Sequence, residues 1–196
     1  MASASRPKGG MHGNCPGLFH SFENEGSKAN LEFFRSSKLL IGKRHYYLHR
    51  EQLSKLPATY IYSEVPILRM TYPGSDLWFR RLLREDSRNT CIYSLQNADS
   101  NRMGTVIVRA KSKNEIKIST IYVKRPYRGE GVAKGLMRYL ISRISATGSF
   151  SIKITYNVER SAPVGNLLKG LGFYKIASEY GRYIGGDTEN VMIKTV

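Results

Sequence analysis

The stretch that most constrains this chain is Tyr122-Val-Lys-Arg-Pro-Tyr-Arg-Gly-Glu-Gly-Val-Ala-Lys-Gly-Leu136. An extended apolar run ends at Val123, and an amphipathic helix opens at about Val132. In that helix Val132, Leu136, Met137, Leu140, Ile141 and Ile144 form one apolar stripe at helical period. Between strand and helix lies Arg128-Gly129-Glu130-Gly131-Val132-Ala133. Glycine lets backbone amides turn inward without a Cβ in the way. The first amides of a helix have no partner inside it and carry its positive dipole end. Strand, glycine-bearing loop and helix N-terminus together make an anion seat suited to a pyrophosphate. No Gly-Lys-Ser/Thr follows, so this is not a P-loop, and the glycines miss the dinucleotide spacing. Taken alone, the six residues also fit an ordinary strand-to-helix turn.

The flanking chain decides what surrounds that loop. Residues 1–30, rich in Gly, Ser, Asn and Pro, read as loop or disordered chain. His12, Cys15 and His20 lack a fourth ligand and a zinc spacing, so no metal is expected. Apolar mass arrives at Leu31, Phe33, Phe34 and Leu39 to Ile41. Residues 43–49 alternate as a strand, with His45 and His49 as packing or surface residues. Residues 50–56 read as a short helix stopped by Pro57, and residues 59–62 as a β-branched, aromatic strand. Residues 66–72 read as a strand, turned by Pro73-Gly74. A helix over 77–85 follows, capped by Ser75 or Asp76. Its Leu77, Trp78, Leu82 and Leu83 are expected to face the core, with Arg80, Arg81 and Arg84 as a basic side. Strands over 90–95, 104–110 and 115–123 are joined by short polar turns, which favours antiparallel hairpins. After the striped helix come a strand over 151–156 and a helix with Pro163 in its first turn and Val164, Leu167, Leu168 and Leu171 on one face. Strands over 172–176 and 190–194 close the chain. The expected class is α/β: a mixed, largely antiparallel central sheet flanked by helices. Residues 1–65 are an N-terminal extension, and residues 66–196 are the domain.

This order, with the loop, resembles the GNAT superfamily of N-acetyltransferases. Arg128, Gly131 and Ala133 fill the three positions of its Arg/Gln-x-x-Gly-x-Gly/Ala acetyl-CoA loop, Val123 and Pro126 match its lead-in, and Leu171-Gly172-Phe173 resembles its second signature. The resemblance covers residues 66–196 and implies an acyl-CoA N-acyltransferase with acetyl-CoA as co-substrate. It implies that the backbone of Ile121, Tyr122 and Val123 pairs with the pantetheine arm, and that Arg128, Gly129, Glu130, Gly131, Val132 and Ala133 wrap the pyrophosphate. Asn157 is placed to bond the same arm, or else is a turn residue.

The catalytic residues are less legible. Strand alternation puts Glu115, Lys117, Ser119, Ile121 and Val123 on one face. Relatives often carry a Glu or His base where Lys117 and Ser119 stand here. Glu115 is the carboxylate of that face, acting through a water or else merely a solvated strand-end charge; the other route is a water held by Ser119 and backbone carbonyls. The tyrosine that many relatives use as acid is replaced by Leu168, so Tyr156 and Tyr174 are substitutes by proximity.

Charge bears on the partner. The net charge is +16; residues 1–66 carry 9 Lys/Arg against 5 Asp/Glu, and residues 67–196 carry 22 against 10. Such a field attracts polyanions, or else serves solubility. A protein or peptide amine is the expected acceptor; an RNA-borne amine such as aminoacyl-tRNA, and a non-catalytic binder on the same fold, stay open. A small cationic acceptor is disfavoured by repulsion. No apolar run is long enough to span a membrane. The absence of an apolar N-terminal signal and the presence of only Cys15 and Cys91 lead one to expect a reducing, cytoplasmic setting.

Overall fold

The computed structural model describes residues 29, 31, 36–85, 88–181 and 185–196. Residues 1–28, with His12, Cys15 and His20, and also Phe33 and Phe34, lie outside the described residues. One sheet of eight strands runs in the order β1-β2-β3-β4-β5-β6-β8-β7. The strands are β1 Ser37–Ile41, β2 Arg44–Arg50, β3 Thr90–Asn97, β4 Arg102–Ala110, β5 Glu115–Val123, β6 Ser151–Asn157, β7 Tyr174–Glu179 and β8 Glu189–Thr195. All neighbours are antiparallel except β5 and β6. That parallel pair needs a crossover, and α4 Val132–Ser145 supplies it.

Each face of the sheet buries its own helices. On one face α4 lays Val132, Leu136, Met137, Leu140 and Ile144 onto Val106, Val108, Ile116 and Ile118. Each such aliphatic side chain contributes about 1.5–3 kcal/mol of burial, so this stripe is the main attachment of α4. Helix α5 Ala162–Gly170 adds Leu168 to the same core. On the other face α1 Tyr60–Glu64, α2 Pro66–Thr71 and α3 Ser75–Leu82 cover Ile92 and Ile107 with Tyr60, Ile61, Val65, Phe79 and Leu82.

Two segments expected as strands are helices. Residues 60–62 fall in α1, with Thr59 as its N-cap, and Tyr60, Ile61, Glu64 and the C-cap Val65 are all buried. That spacing turns to one side only in a helix. Residues 66–71 form α2, capped by Tyr72, with Pro66 in the first turn, where its missing N–H costs nothing. Helix α3 begins earlier than expected. Its N-cap is Gly74, at φ 72°, with no side-chain cap, so neither Ser75 nor Asp76 serves that role. Its phase also differs: Leu77 is 71% exposed while Phe79 is fully buried. The helix expected over 50–56 is only the 3-10 turn Leu53–Lys55.

Pro66 opens α2, and the sheet takes strands from both sides of that point. Strand β2 pairs with β3, and Leu39, Tyr46 and Leu48 share the α4 core. The β1–β2 hairpin also braces the crossover helix. A Cβ at Gly135 of α4 would lie 2.6 Å from Ile41, so glycine is what lets the hairpin lie this close. The Arg44 guanidinium reaches the Glu130 carboxylate and ties the hairpin to the loop before α4. That contact raises the already high pKa of Arg44. The pair is exposed, at 69% and 40%, so solvent screens it and it adds little to stability.

Candidate active site

Strands β5 and β6 pair only from Glu115↔Ser151 to Ile118↔Ile154. Beyond this point Thr120–Val123 keeps pairing with β4, while Thr155–Asn157 pairs with β8. The two strands therefore part, and their facing edges open into a cleft of about 740 Å³. One wall carries Val65, Leu68, Tyr72 and Trp78; the other carries Tyr156, Pro163, Val164 and Leu167.

A bulge shifts the alternation of β5 where it passes the cleft. Ile107 pairs with Thr120 and Val108 with Ile118, so Ser119 has no partner in β4. An extra residue reverses the alternation. All of Lys117 to Val123 line the cleft, but Ile121 and Val123 also pack with the α4 core, on the side of the sheet away from Lys117. Tyr122 instead joins the opposite core. The expectation that Glu115, Lys117, Ser119, Ile121 and Val123 share one face is thus corrected beyond Ser119. The hydroxyls of Ser119 and Thr120 are buried and find no hydrogen-bond partner among the described residues. Buried hydroxyls normally have one.

The loop above the cleft has the geometry of an anion seat. Arg125–Tyr127 makes a 3-10 turn, then Gly129 and Gly131 take φ values of 86° and 76°. The first α4 bond runs from Gly135 N to Gly131 O, leaving the amides of Gly131 to Lys134 without partners in the helix. A Cβ at either glycine would meet nothing within 4 Å, so glycine serves the backbone angle here, and space lies before it. The Arg128 side chain folds back under the loop. Its Nε donates to Val123 O at 2.8 Å, and its guanidinium lies 5.4 Å from the Tyr122 ring centre. Ala133 lines the cleft at the base of the helix.

The expected polar residues fare differently. Tyr156, at the end of β6, lines the cleft, and its hydroxyl oxygen accepts from Asn190 Nδ2 at 3.1 Å. The ring lies on α5 where Gly165 leaves room: a Cβ there would lie 2.5 Å from the hydroxyl. Asn157 ends β6 and lines the cleft. Its Oδ1 accepts from Arg160 N at 2.7 Å and its Nδ2 donates to Asp187 at 2.9 Å, which leaves one lone pair and one N–H of the amide beyond these bonds. Hydrogen bonds from Asn157 and then Arg160 hold the Asp187 carboxyl below the usual carboxylate range. Glu115 stands at the β4–β5 hairpin, its carbonyl accepting from Lys111, and is not among the cleft-lining residues. Tyr174 is 57% exposed on β7, also away from the lining. Leu168 is buried in the core.

One residue escaped the sequence reading. Glu189, 2% exposed at the start of β8, is the carboxylate among the described cleft-lining residues. Its only signal was a lone acid at the head of an apolar strand. Arg109 and Lys117 also line the cleft, Arg109 forking onto Glu85.

This arrangement of parted strands, glycine loop and crossover helix has known counterparts. The sequence model described as the acetyltransferase (GNAT) family matches residues 51–173. The chain belongs to that family. It is an acetyltransferase of the GNAT type, with the family's mixed α/β fold. The match opens before residue 66 and closes on Phe173. No curated protein matches the sequence. Among solved structures, the ribosomal-protein-S18-alanine N-acetyltransferase from Escherichia coli superposes with a TM-score of 0.60 at 17% identity, covering 77% of this chain and 94% of that one. NAA60 from Arabidopsis thaliana, solved with acetyl-CoA, gives 0.57 at 13% identity over 77% and 98%. The NatC complex bound to Gag peptide and CoA gives 0.52 at 23% identity over 64% and 82%. At these identities the likeness is one of fold. No helix among the described residues is long and apolar enough to cross a membrane.

Proposed function

We propose that this chain transfers the acetyl group of acetyl-CoA to a primary amine on a protein or peptide. The observation that carries the reading is the parting of β5 from β6 after Ile118, directly below the glycine loop and the open N-terminus of α4. The free β5 edge from Ser119 to Val123 offers backbone groups to an extended pantetheine arm, as an added strand would. Ile121, Tyr122 and Val123 are the residues of that edge; the Val123 carbonyl already has Arg128 as a donor. The amides from Gly129 to Ala133 receive the pyrophosphate, where their dipoles favour negative charge. Arg128 acts by holding the loop against the strand, and Glu130 by holding it against the hairpin.

The acceptor amine must arrive neutral. Arg109 and Lys117 line the same cleft, and like charges disfavour the ammonium form. The unsatisfied hydroxyls of Ser119 and Thr120 suit a water that takes the released proton, with Glu189 as the carboxylate that receives it. Glu115 is the weaker base, because it stands outside the cleft lining. As the amine attacks the thioester carbonyl, the carbon–sulfur bond breaks and the thiolate leaves. Tyr156 is the acid that protonates it. Its oxygen accepts from Asn190, so its own proton is free to be given.

The apolar wall of Val65, Leu68, Tyr72 and Trp78 favours an amine attached to a peptide, whose side chains have surface to bury there. The test is acetyl transfer from labelled acetyl-CoA to a lysate separated into protein and RNA fractions. Label in protein is the expected result. Label in RNA alone would move the acceptor to an RNA-borne amine, and label in neither, despite acetyl-CoA binding, would leave a binding protein.

A further inference from the structure

Helix α3 presents two opposed faces. Ser75, Trp78, Phe79 and Leu82 turn inward, Ser75 and Trp78 reaching the cleft. Leu77, Arg80 and Arg81 turn outward from α3, Arg84 follows in the turn just beyond its end, and all four are exposed. None of these three arginines has a carboxylate partner among the described residues. The nearby acids are engaged elsewhere: Glu85 forks with Arg109 and accepts from Thr90, and Asp76 bonds Tyr62 at the far end of the helix. Arg69 extends the patch, its guanidinium 4.7 Å from the Tyr62 ring centre. Unpaired guanidiniums on one exposed face repel one another and add nothing to folding.

We propose that this face of α3 grips the phosphate backbone of a single-stranded RNA. Three features favour it. Guanidinium is the group suited to bidentate phosphate contacts, and the stripe is arginine rather than lysine. Leu77, 71% exposed about one helical turn before Arg80 and Arg81, offers apolar surface to an unstacked base. The excess charge belongs to the whole molecule, with 31 Lys/Arg against 15 Asp/Glu. An acidic peptide would use only the local patch, whereas a polymer charged at every residue uses the entire field. The same helix lines the cleft mouth, so a bound RNA holds its protein partners beside the site. The proposal stands apart from the acetyl-transfer reading.

The test is fluorescence anisotropy of a labelled short single-stranded RNA over a salt series. Each phosphate contact on a single strand adds about 0.7 to the slope of log K against log salt. Replacing Arg80, Arg81 and Arg84 together by Ala should lower that slope by about two. Replacing the exposed Lys113, Lys169 and Lys175 by Ala removes equal charge elsewhere and should change it by much less. A triple Arg→Lys variant keeps the charge and guards against loss of fold: it should keep the slope but bind more weakly. Equal slopes in the two Ala triples, or no RNA binding by the native chain even at low salt, would overturn the proposal. Displacement of the RNA by polyglutamate at equal charge would also overturn it, in favour of an acidic protein partner. Calorimetric titration with acetyl-CoA, run on the same variants, reads the cofactor site separately.

Discussion

Gly165→Ala separates the chemistry of Tyr156 from the stability of the fold. The added Cβ would lie 2.5 Å from the Tyr156 hydroxyl, 2.9 Å from its Cζ and 3.2 Å from its Cε2. Ordinary contact begins near 3.4 Å, so the end of the ring must withdraw by about 0.9 Å, and the 3.1 Å bond from Asn190 is lost. Two stability terms then oppose each other. Alanine in a helix interior gains about 1 kcal/mol over glycine, and the lost hydrogen bond costs about 0.5–1.5 kcal/mol. The melting temperature should barely move. Turnover should fall about a hundredfold, because catalytic groups displaced by about 1 Å lose on that order. Tyr156→Phe should fall by at least as much, and adding Gly165→Ala to it should cost little more, since the two act through one group. The assay is steady-state release of CoA, with KM for acetyl-CoA followed separately and expected to stay near the native value. Full turnover in both single variants would refute the acid role of Tyr156. A fall in melting temperature matching the loss of activity would reduce Gly165 to a packing residue.

Gly131→Asp forces a non-glycine residue to φ 76° and sets a carboxylate before the free amides of α4; calorimetry should find acetyl-CoA binding nearly abolished, and native affinity would remove the cofactor from this loop. Glu189→Gln should lower turnover about a hundredfold or more while Glu115→Gln leaves it unchanged; the opposite pattern would return the base to the hairpin. Asp187 is held below the usual carboxylate pKa by Asn157 and Arg160. A depressed folded pKa means stability that is present above the unfolded value, about 3.9, and lost as pH falls through the folded one. Melting curves of native chain and Asp187→Asn should therefore differ near neutral pH and converge in acid; a constant gap across that range would show that the carboxylate contributes nothing.

Local sequence determined the parts whose forces are local. The apolar stripe from Val132 to Ile144 is a helix because its period allows no other burial. Glu115–Val123 is a strand to the residue, bounded by polar turns. Gly129 and Gly131 take positive φ, as glycines before a helix do. Tertiary structure decided the rest. Tyr60, Ile61 and residues 66–71 have strand-forming composition, but their neighbours on the sheet are already paired. They gain more by covering Ile92 and Ile107 as helices than they lose in propensity. Leu77 and Phe79 exchanged places because the phase of α3 is set by what lies beneath it. The bulge at Ser119 exists only in the register against β4, and it alone moves Ile121 and Val123 off the face that Lys117 occupies. Asn157 is committed to Asp187, far along the chain. The contact of Tyr156 with Asn190 and Gly165 joins three elements that no window of sequence spans. A pattern reports the preference of a segment for a shape; which side chains meet is fixed by partners distant in the chain, and the reactive geometry of this cleft is made almost entirely of such meetings.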